Sequence, residues 1–197
     1  MNIRQKKALQ TKNKILTAAL SLFNEKGFSN VTVDEIIEKT NSSKGAFYNH
    51  FKSKHDIFFE KFKEIDHFYL DELLPQLEKD APANVKLKTF FKIEMEFIES
   101  EFGWDVTRSI YEAELNVERE SFFLIPDRPL YQILKNLCEE GQEAGLFRTD
   151  ITSEQMVTIL ARMIRGILYD WSISKGQYSL SSEQDLLFDV AIRGLTK

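Results

Sequence analysis

Apolar residues recur along this 197-residue chain at three-, four- and seven-residue steps, and no stretch shows the strict alternation of a sheet. Leu9, Leu16, Ala19, Leu20 and Phe23 share one face of a first helix, which Gly27 can close as a left-handed cap. Thr32-Val33-Asp34-Glu35 puts a hydroxyl at an N-cap and a carboxylate three residues on. That predicts a capping box opening a short helix to about Thr40, with Val33, Ile36 and Ile37 inward. Asn41 and Ser42 make a turn, Ser43 is the natural N-cap of a second short helix, and Ser53-Lys54-His55-Asp56 caps a longer one. The longer helix runs to about Leu74 with Phe58, Phe62, Ile65, Tyr69 and Leu73 on one stripe, a length of about 31 Å at 1.5 Å per residue.

The remainder has the same period. Leu87, Phe90, Phe91, Phe97 and Ile98 form one apolar face. Thr152-Ser153-Glu154-Gln155 is a further capping box, opening a helix with Met156, Ile159, Leu160, Met163, Ile164, Ile167, Leu168 and Trp171 on a wide stripe. Ser181 and Gln184 are expected to cap a last helix carrying Leu186, Leu187, Val190, Ala191, Gly194 and Leu195. Pro75, Pro82, Pro126 and Pro129 fall in two clusters between the long periodic segments. The expectation is an all-α protein of about nine helices: an N-terminal three-helix helix-turn-helix domain over residues 1–53 and a second helical domain over residues 54–197.

Composition narrows the class. No run of eighteen apolar residues could span a bilayer, and the first fourteen residues lack the apolar core of a signal peptide, so a cytoplasmic protein without a membrane partner is expected. Cys138 is the single cysteine and there are three histidines, too few for a structural zinc site; no metal and no cofactor are expected. Charge is unevenly placed. Residues 1–63 hold 12 of the 26 Lys and Arg but only 6 of the 31 Asp and Glu, so a net of −5 conceals a basic head and an acidic body. Arg4, Lys6, Lys7, Lys12 and Lys14 precede the first acid, Glu25, and form a cationic arm at the start of the first helix. A basic segment fused to an acidic one suits a polyanion partner for the first, although two solvated surfaces would show the same totals.

The spacing in NSSKGAFYNHFKSK, residues 41–54, decides between them. Phe47 and Phe51, four apart, can both face the core, which leaves Lys44, Gly45, Tyr48 and Asn49 outward and His50 at the helix end. Gly45 costs roughly 1 kcal/mol relative to alanine and permits close approach of a partner. Lys44 lies in the first turn, where free N–H groups and positive charge both attract phosphate.

Residues 11–58 closely resemble the DNA-binding domain of the TetR/AcrR family of bacterial transcriptional repressors. The match lies in Ala18-Ala19, Phe23, Gly27, Thr32-Val33, Ser43-Lys44-Gly45, Tyr48, His50-Phe51 and Lys54. The resemblance implies that Thr32, Ser43 and His50 contact phosphates, that Lys44, Gly45 and Tyr48, with Asn49 beside them, face the major groove, and that Lys54 reaches the DNA backbone. It also implies that the helix after the head moves when ligand binds, and that the last two helices of each subunit build a four-helix dimer interface. Asn41-Ser42-Ser43 replaces the usual Gly-Val-Ser turn, so Ser42 takes the place of an apolar residue.

The acidic body holds no catalytic motif, and nine of the 24 aromatic residues lie between Phe90 and Tyr131, which suits a cavity for an apolar small molecule. Expected effector-site residues are Phe62, Tyr69, Phe90, Phe91, Glu94, Phe97, Trp104, Tyr111 and Trp171. Expected dimer residues are Ile159, Met163, Ile167, Leu187, Val190, Ala191 and Gly194. Glu94 falls within an apolar stripe. Its carboxylate must be paired, to an arginine such as Arg108, Arg162 or Arg165, or else recognise a cationic or hydrogen-bond-donating effector. The protein is therefore read as a homodimeric regulator of a double-stranded DNA operator, most simply a repressor, released by a small apolar or cationic effector of unknown identity. Two other readings stand beside it. Glu64-Ile65-Asp66-His67 matches one Glu-x-x-His element of a di-iron enzyme but lacks the second. A helical interaction protein that does not bind DNA leaves the Lys44-Gly45-Tyr48 face unexplained.

Overall fold

The computed structural model describes residues 2–62, 64–115 and 121–197, and the chain separates into two compact units, Met1–Lys63 and Glu64–Lys197. Of Phe58, Phe62, Glu64 and Gln184 only the backbone is described, so expectations for their side chains lie outside the described residues. Among the described residues secondary structure is helical, apart from one isolated bridge between Phe147 and Thr196.

The first unit contains α1 (Ile3–Lys26), α2 (Val33–Thr40), α3 (Lys44–His50) and α4 (Lys54–Phe62). Helix α1 begins well before Leu9, because Asn2 and Gln5 form a reciprocal capping box. The cationic residues from Arg4 onward are thus helical rather than an arm ahead of the helix. Its buried face also differs in register from the expected one: Ile15, Ala19, Leu22 and Phe23 are inside, whereas Leu9 is 48% exposed. Gly27 closes the helix with φ +79° and an N–H bond to Phe23 O. Its ψ of 146° is extended, so the cap turns straight into the short 3-10 segment Phe28–Asn30.

The second unit begins with α5 (Glu64–His67), which widens into a π-helical stretch, Phe68–Leu73, before the 3-10 turn Leu74–Gln76. A uniform α-helix to Leu74 was the expectation. The wider turns take Phe68 and Tyr69, adjacent in sequence, both into the core, and Pro75, which lacks an N–H, ends the regular ladder. Then follow α6 (Ala83–Phe97), α7 (Gly103–Glu114), α8 (Pro129–Glu143), α9 (Ser153–Ile173) and α10 (Leu180–Leu195). Phe91 of α6 stacks on Phe188 of α10 at 4.0 Å, and Lys86 of α6 reaches Glu140 of α8 at 2.7 Å. Phe147 lies so close to Gly141 that a Cβ there would sit 2.1 Å from the ring, so only glycine fits. Cys138 is buried among these helices, and desolvation pushes its thiol up to about 12.

Two caps contrast local and distant solutions. Thr152 and Gln155 form the expected box at α9. Helix α10 starts one residue before Ser181, so Ser181 lies inside the helix and is not its N-cap. The Glu99 carboxylate instead accepts the N–H groups of Leu180 and Ser181, both at 3.1 Å, and the hydroxyl of Ser179 at 3.2 Å.

Candidate nucleic-acid interface and effector site

The head is built from its caps outward. Thr32 Oγ1 accepts the Glu35 N–H at 3.2 Å while Glu35 accepts the Thr32 N–H at 2.7 Å. Lys26 and these bonds hold the Glu35 carboxyl down at about 2. Asn41 adopts φ +47°, ψ +38°, the left-handed turn its short polar side chain tolerates, and Ser43 Oγ accepts the Ala46 N–H at 3.0 Å to start α3. Phe47 and Phe51 are fully inside, so the opposite face of α3 points outward. Lys44, Gly45 and Asn49 are exposed on it, Tyr48 is 54% exposed and braced edge-on against Phe47, and His50 is half-buried at the end. Lys44 bonds to Asp34 of α2 at 2.8 Å on the surface, which raises its pKa. A Cβ on Gly45 would meet only Ser43 Oγ, at 3.9 Å. Internal packing therefore does not require glycine there.

Lys54 has a different setting from the other lysines. Its ammonium donates to the carbonyls of Phe28 and Val31 at 2.8 Å each and to that of Ser29 at 3.4 Å, and it lies 4.4 Å over the Phe28 ring. It ties the start of α4 to the turn ahead of α2.

In the second unit, the expected aromatic residues divide into groups. Tyr69 stacks on Phe90 at 5.8 Å, Phe90 meets Phe91 edge-on, and Phe97 stacks on Phe68 at 3.7 Å. Glu94 is 1% exposed, and its partner is none of Arg108, Arg162 and Arg165. Tyr69 OH donates to Glu94 Oε1 at 2.5 Å, and among the described residues Oε2 has no hydrogen-bond partner. Burial lifts the Glu94 carboxyl to about 7, against the opposing pull of the Tyr69 bond and of Arg128. Desolvation, then the charge of Glu94, raises Tyr69. Arg128, itself buried over the Phe122 ring at 3.8 Å, is bound by Asp66 through Nε and a terminal nitrogen at 2.9 Å. Sequence periodicity could not find Arg128, since it sits in a proline-flanked loop, nor pair it with Asp66 across 62 positions.

Tyr111 lies elsewhere, donating to Arg165 O at 2.7 Å and contacting Phe123 and Tyr169. Trp171 is buried with Nε1 donating to Tyr178 O at 3.0 Å, and Trp104 packs over Gly176. Glu114, unnoticed in the sequence, accepts the N–H groups of Phe122 and Phe123, both at 3.1 Å, and the Ser121 hydroxyl. A cleft of about 430 Å³ between α8 and α9 is lined by Phe123, Tyr131, Lys135, Arg162 and Arg165 among others, and by none of the expected effector residues. Among the described residues no group of three or more His, Cys, Asp or Glu could hold a metal, and no helix is long and apolar enough to cross a membrane. Asp66 of the Glu-x-x-His element is engaged by Arg128.

Of the expected dimer residues, Ile159, Leu187 and Val190 are 49%, 45% and 59% exposed, Gly194 is exposed, and Met163 and Ala191 are half-buried. Ile167 is buried by its own chain.

Residues 15–60 match the family model of bacterial regulatory proteins of the tetR family. The HTH-type transcriptional regulator AcrR of Shigella flexneri is 25% identical over 190 residues, covering 91% of this chain and 86% of that protein. A negative regulator of the biofilm operon, IcaR of Staphylococcus epidermidis, is 33% identical over 63 residues, covering 32% of this chain and 34% of its own. The crystal structure of Thermus thermophilus FadR, a TetR-family repressor in complex with lauroyl-CoA, superposes with a TM-score of 0.75 at 21% identity, covering 94% of this chain and 95% of that one. Residues 15–60 thus carry a tetR-family DNA-binding region, and over most of its length the chain is similar to transcriptional regulators of that type and shares their fold.

Proposed function

We propose that the protein is a cytoplasmic, homodimeric, ligand-responsive repressor that binds a palindromic operator through two α3 helices and leaves it when a small molecule occupies the second unit. The observation that carries the DNA reading is the outer face of α3. Gly45 weakens a seven-residue helix with no internal need for it, and it lies between Lys44 and Tyr48 on the side away from Phe47 and Phe51. A face so built suits close approach to a base pair or phosphate.

For the effector, the support is the orphaned Glu94 oxygen in aromatic surroundings. Asp66 already neutralises Arg128, so a cation or N–H donor on a ligand would meet an acceptor with no competing partner. Effector binding lowers operator affinity by favouring the state that fits DNA less well. AcrR and IcaR, both regulators of transcription, agree with the regulatory reading.

The test is a selection of fragmented genomic DNA by the purified protein, with Tyr48→Ala as control. Enrichment of a few palindromic sites by the parent alone is expected. Equal recovery by parent and variant would instead favour a helical interaction protein.

A further inference from the structure

Among the described side chains at the start of α1, residues 4–10 are exposed, and the first buried one is Ile15. Yet the capping box at Asn2 keeps this extension helical to its end. The described side chains from Arg4 to Gln10 are left to solvent or to a partner, so packing within the chain does not account for this stretch of helix.

Its charges are placed with some order. Arg4, Lys7 and Lys14 are separated by three and seven residues, and the next seven-residue step reaches Ser21, with Glu25 one turn further. At about 100° per residue the four positions drift by about 60°, 20° and 20° in the same sense, about 100° in all, so they form a stripe that winds slowly along the helix. The far end of that stripe faces α2, because Lys39 donates to Ser21 Oγ at 2.9 Å and to Glu25 at 3.2 Å. The near end is cationic, with no acid before Glu25. Among the described residues the side chains of Arg4, Lys7 and Lys14 have no hydrogen bond or ion pair. Lys12, on another face, is held by Glu60 at 2.8 Å and lies 5.9 Å from the Phe51 ring at the end of α3. That contact sets the extension beside the helix-turn-helix.

Resting on the DNA reading above, we infer that Arg4, Lys7 and Lys14 form a rigid phosphate-contacting stripe that lengthens each head's footprint along the DNA backbone, outside the surface of α3. From Arg4 to Lys14 the stripe is about 15 Å long. Phosphates on one strand recur about every 3.4 Å of duplex, so three side chains at this spacing can each meet one. The first helix of a helix-turn-helix crosses the backbone, which is where a stripe continuing the α2-facing line of α1 would lie.

The experiment measures binding to a 40-base-pair duplex of mixed sequence by fluorescence anisotropy, across a salt series. The proteins are the parent, Arg4→Ala/Lys7→Ala/Lys14→Ala, and a charge-matched control, Lys79→Ala/Lys92→Ala/Lys197→Ala, in the acidic unit. Alanine keeps the exposed helix, which circular dichroism checks. The stripe variant should lose roughly tenfold or more in affinity, and the slope of log K against log salt should shrink by about 0.9 for each lost contact. The control should bind like the parent. A stripe variant with the parent's slope, or a control that loses as much, would overturn the inference. A parent that binds no duplex at all would refute the DNA reading itself.

Discussion

At the scale of single residues, Glu94 has the strongest consequence. Its carboxyl is raised to about 7 because ionisation would place a charge in a dry aromatic environment, where one tyrosine hydroxyl is its only hydrogen-bond donor among the described residues. In the unfolded chain the same group titrates near its ordinary value of 4.5. Between those two pH values the folded state binds the proton and the unfolded state does not, so this group's contribution is fully present below about pH 4.5 and is lost as pH rises to 7. The loss is on the order of 3 kcal/mol. Glu94→Gln stays neutral at every pH and can still accept the Tyr69 bond. The difference in stability between variant and parent, from urea unfolding at pH 5, 6.5 and 8, should grow with pH in favour of the variant. Parallel curves would show that Glu94 is ionised without penalty. If the site takes cationic effectors, the same variant should weaken a cation much more than a neutral ligand. The stripe position of Glu94 was legible from spacing alone; its partner was not, because Tyr69 is 25 residues away on another element.

At the scale of elements, the sequence reveals what is local. The boxes at Thr32 and Thr152, the turn at Asn41 and the Ser43 cap all depend on residues within three or four positions, and they appear as the spacing predicts. What fails is whatever arrives from far along the chain. Lys54, expected to reach the DNA backbone, has its ammonium enclosed by three carbonyls from the turn before α2. Helix α10 looked capped by its own Ser181, yet Glu99 binds its first amides from 81 and 82 residues away. A carboxylate at a helix N-terminus gains both the hydrogen bonds and the dipole, together worth about 1–2 kcal/mol. Glu99→Ala should therefore accelerate amide hydrogen exchange at Leu180 and Ser181 while α9 is unchanged, and Ser181→Ala should leave both near the parent. If Ser181→Ala has the larger effect, the local cap is the functional one.

At the scale of the whole molecule, the exposed apolar surface of α9 and α10 calls for a partner. Leu186, Leu187 and Val190 on α10 are 74%, 45% and 59% exposed, and Ile159 and Ile173 on α9 are 49% and 57% exposed. Burying what remains exposed of each such side chain would contribute about 1–2 kcal/mol, a drive to association on helices that already bury their opposite faces. The glycines point the same way. Among the described residues a Cβ on Gly166 or Gly194 would meet nothing within 4 Å, so internal packing does not require glycine there and both positions leave room for another surface to come close. On the proposed function a second copy is the partner that fits, since two heads would meet half-sites about one helical turn apart. Across a two-fold axis one substitution acts twice, and Val190→Asp places two carboxylates in the same apolar contact. Sedimentation should then show a monomer where the parent is a dimer. Operator affinity should fall to that of a single head, with the unfolding midpoint of the isolated chain little changed, because Val190 is largely outside its own core. A Val190→Asp protein that remains dimeric would move the interface off α10 and leave its apolar face to a different partner.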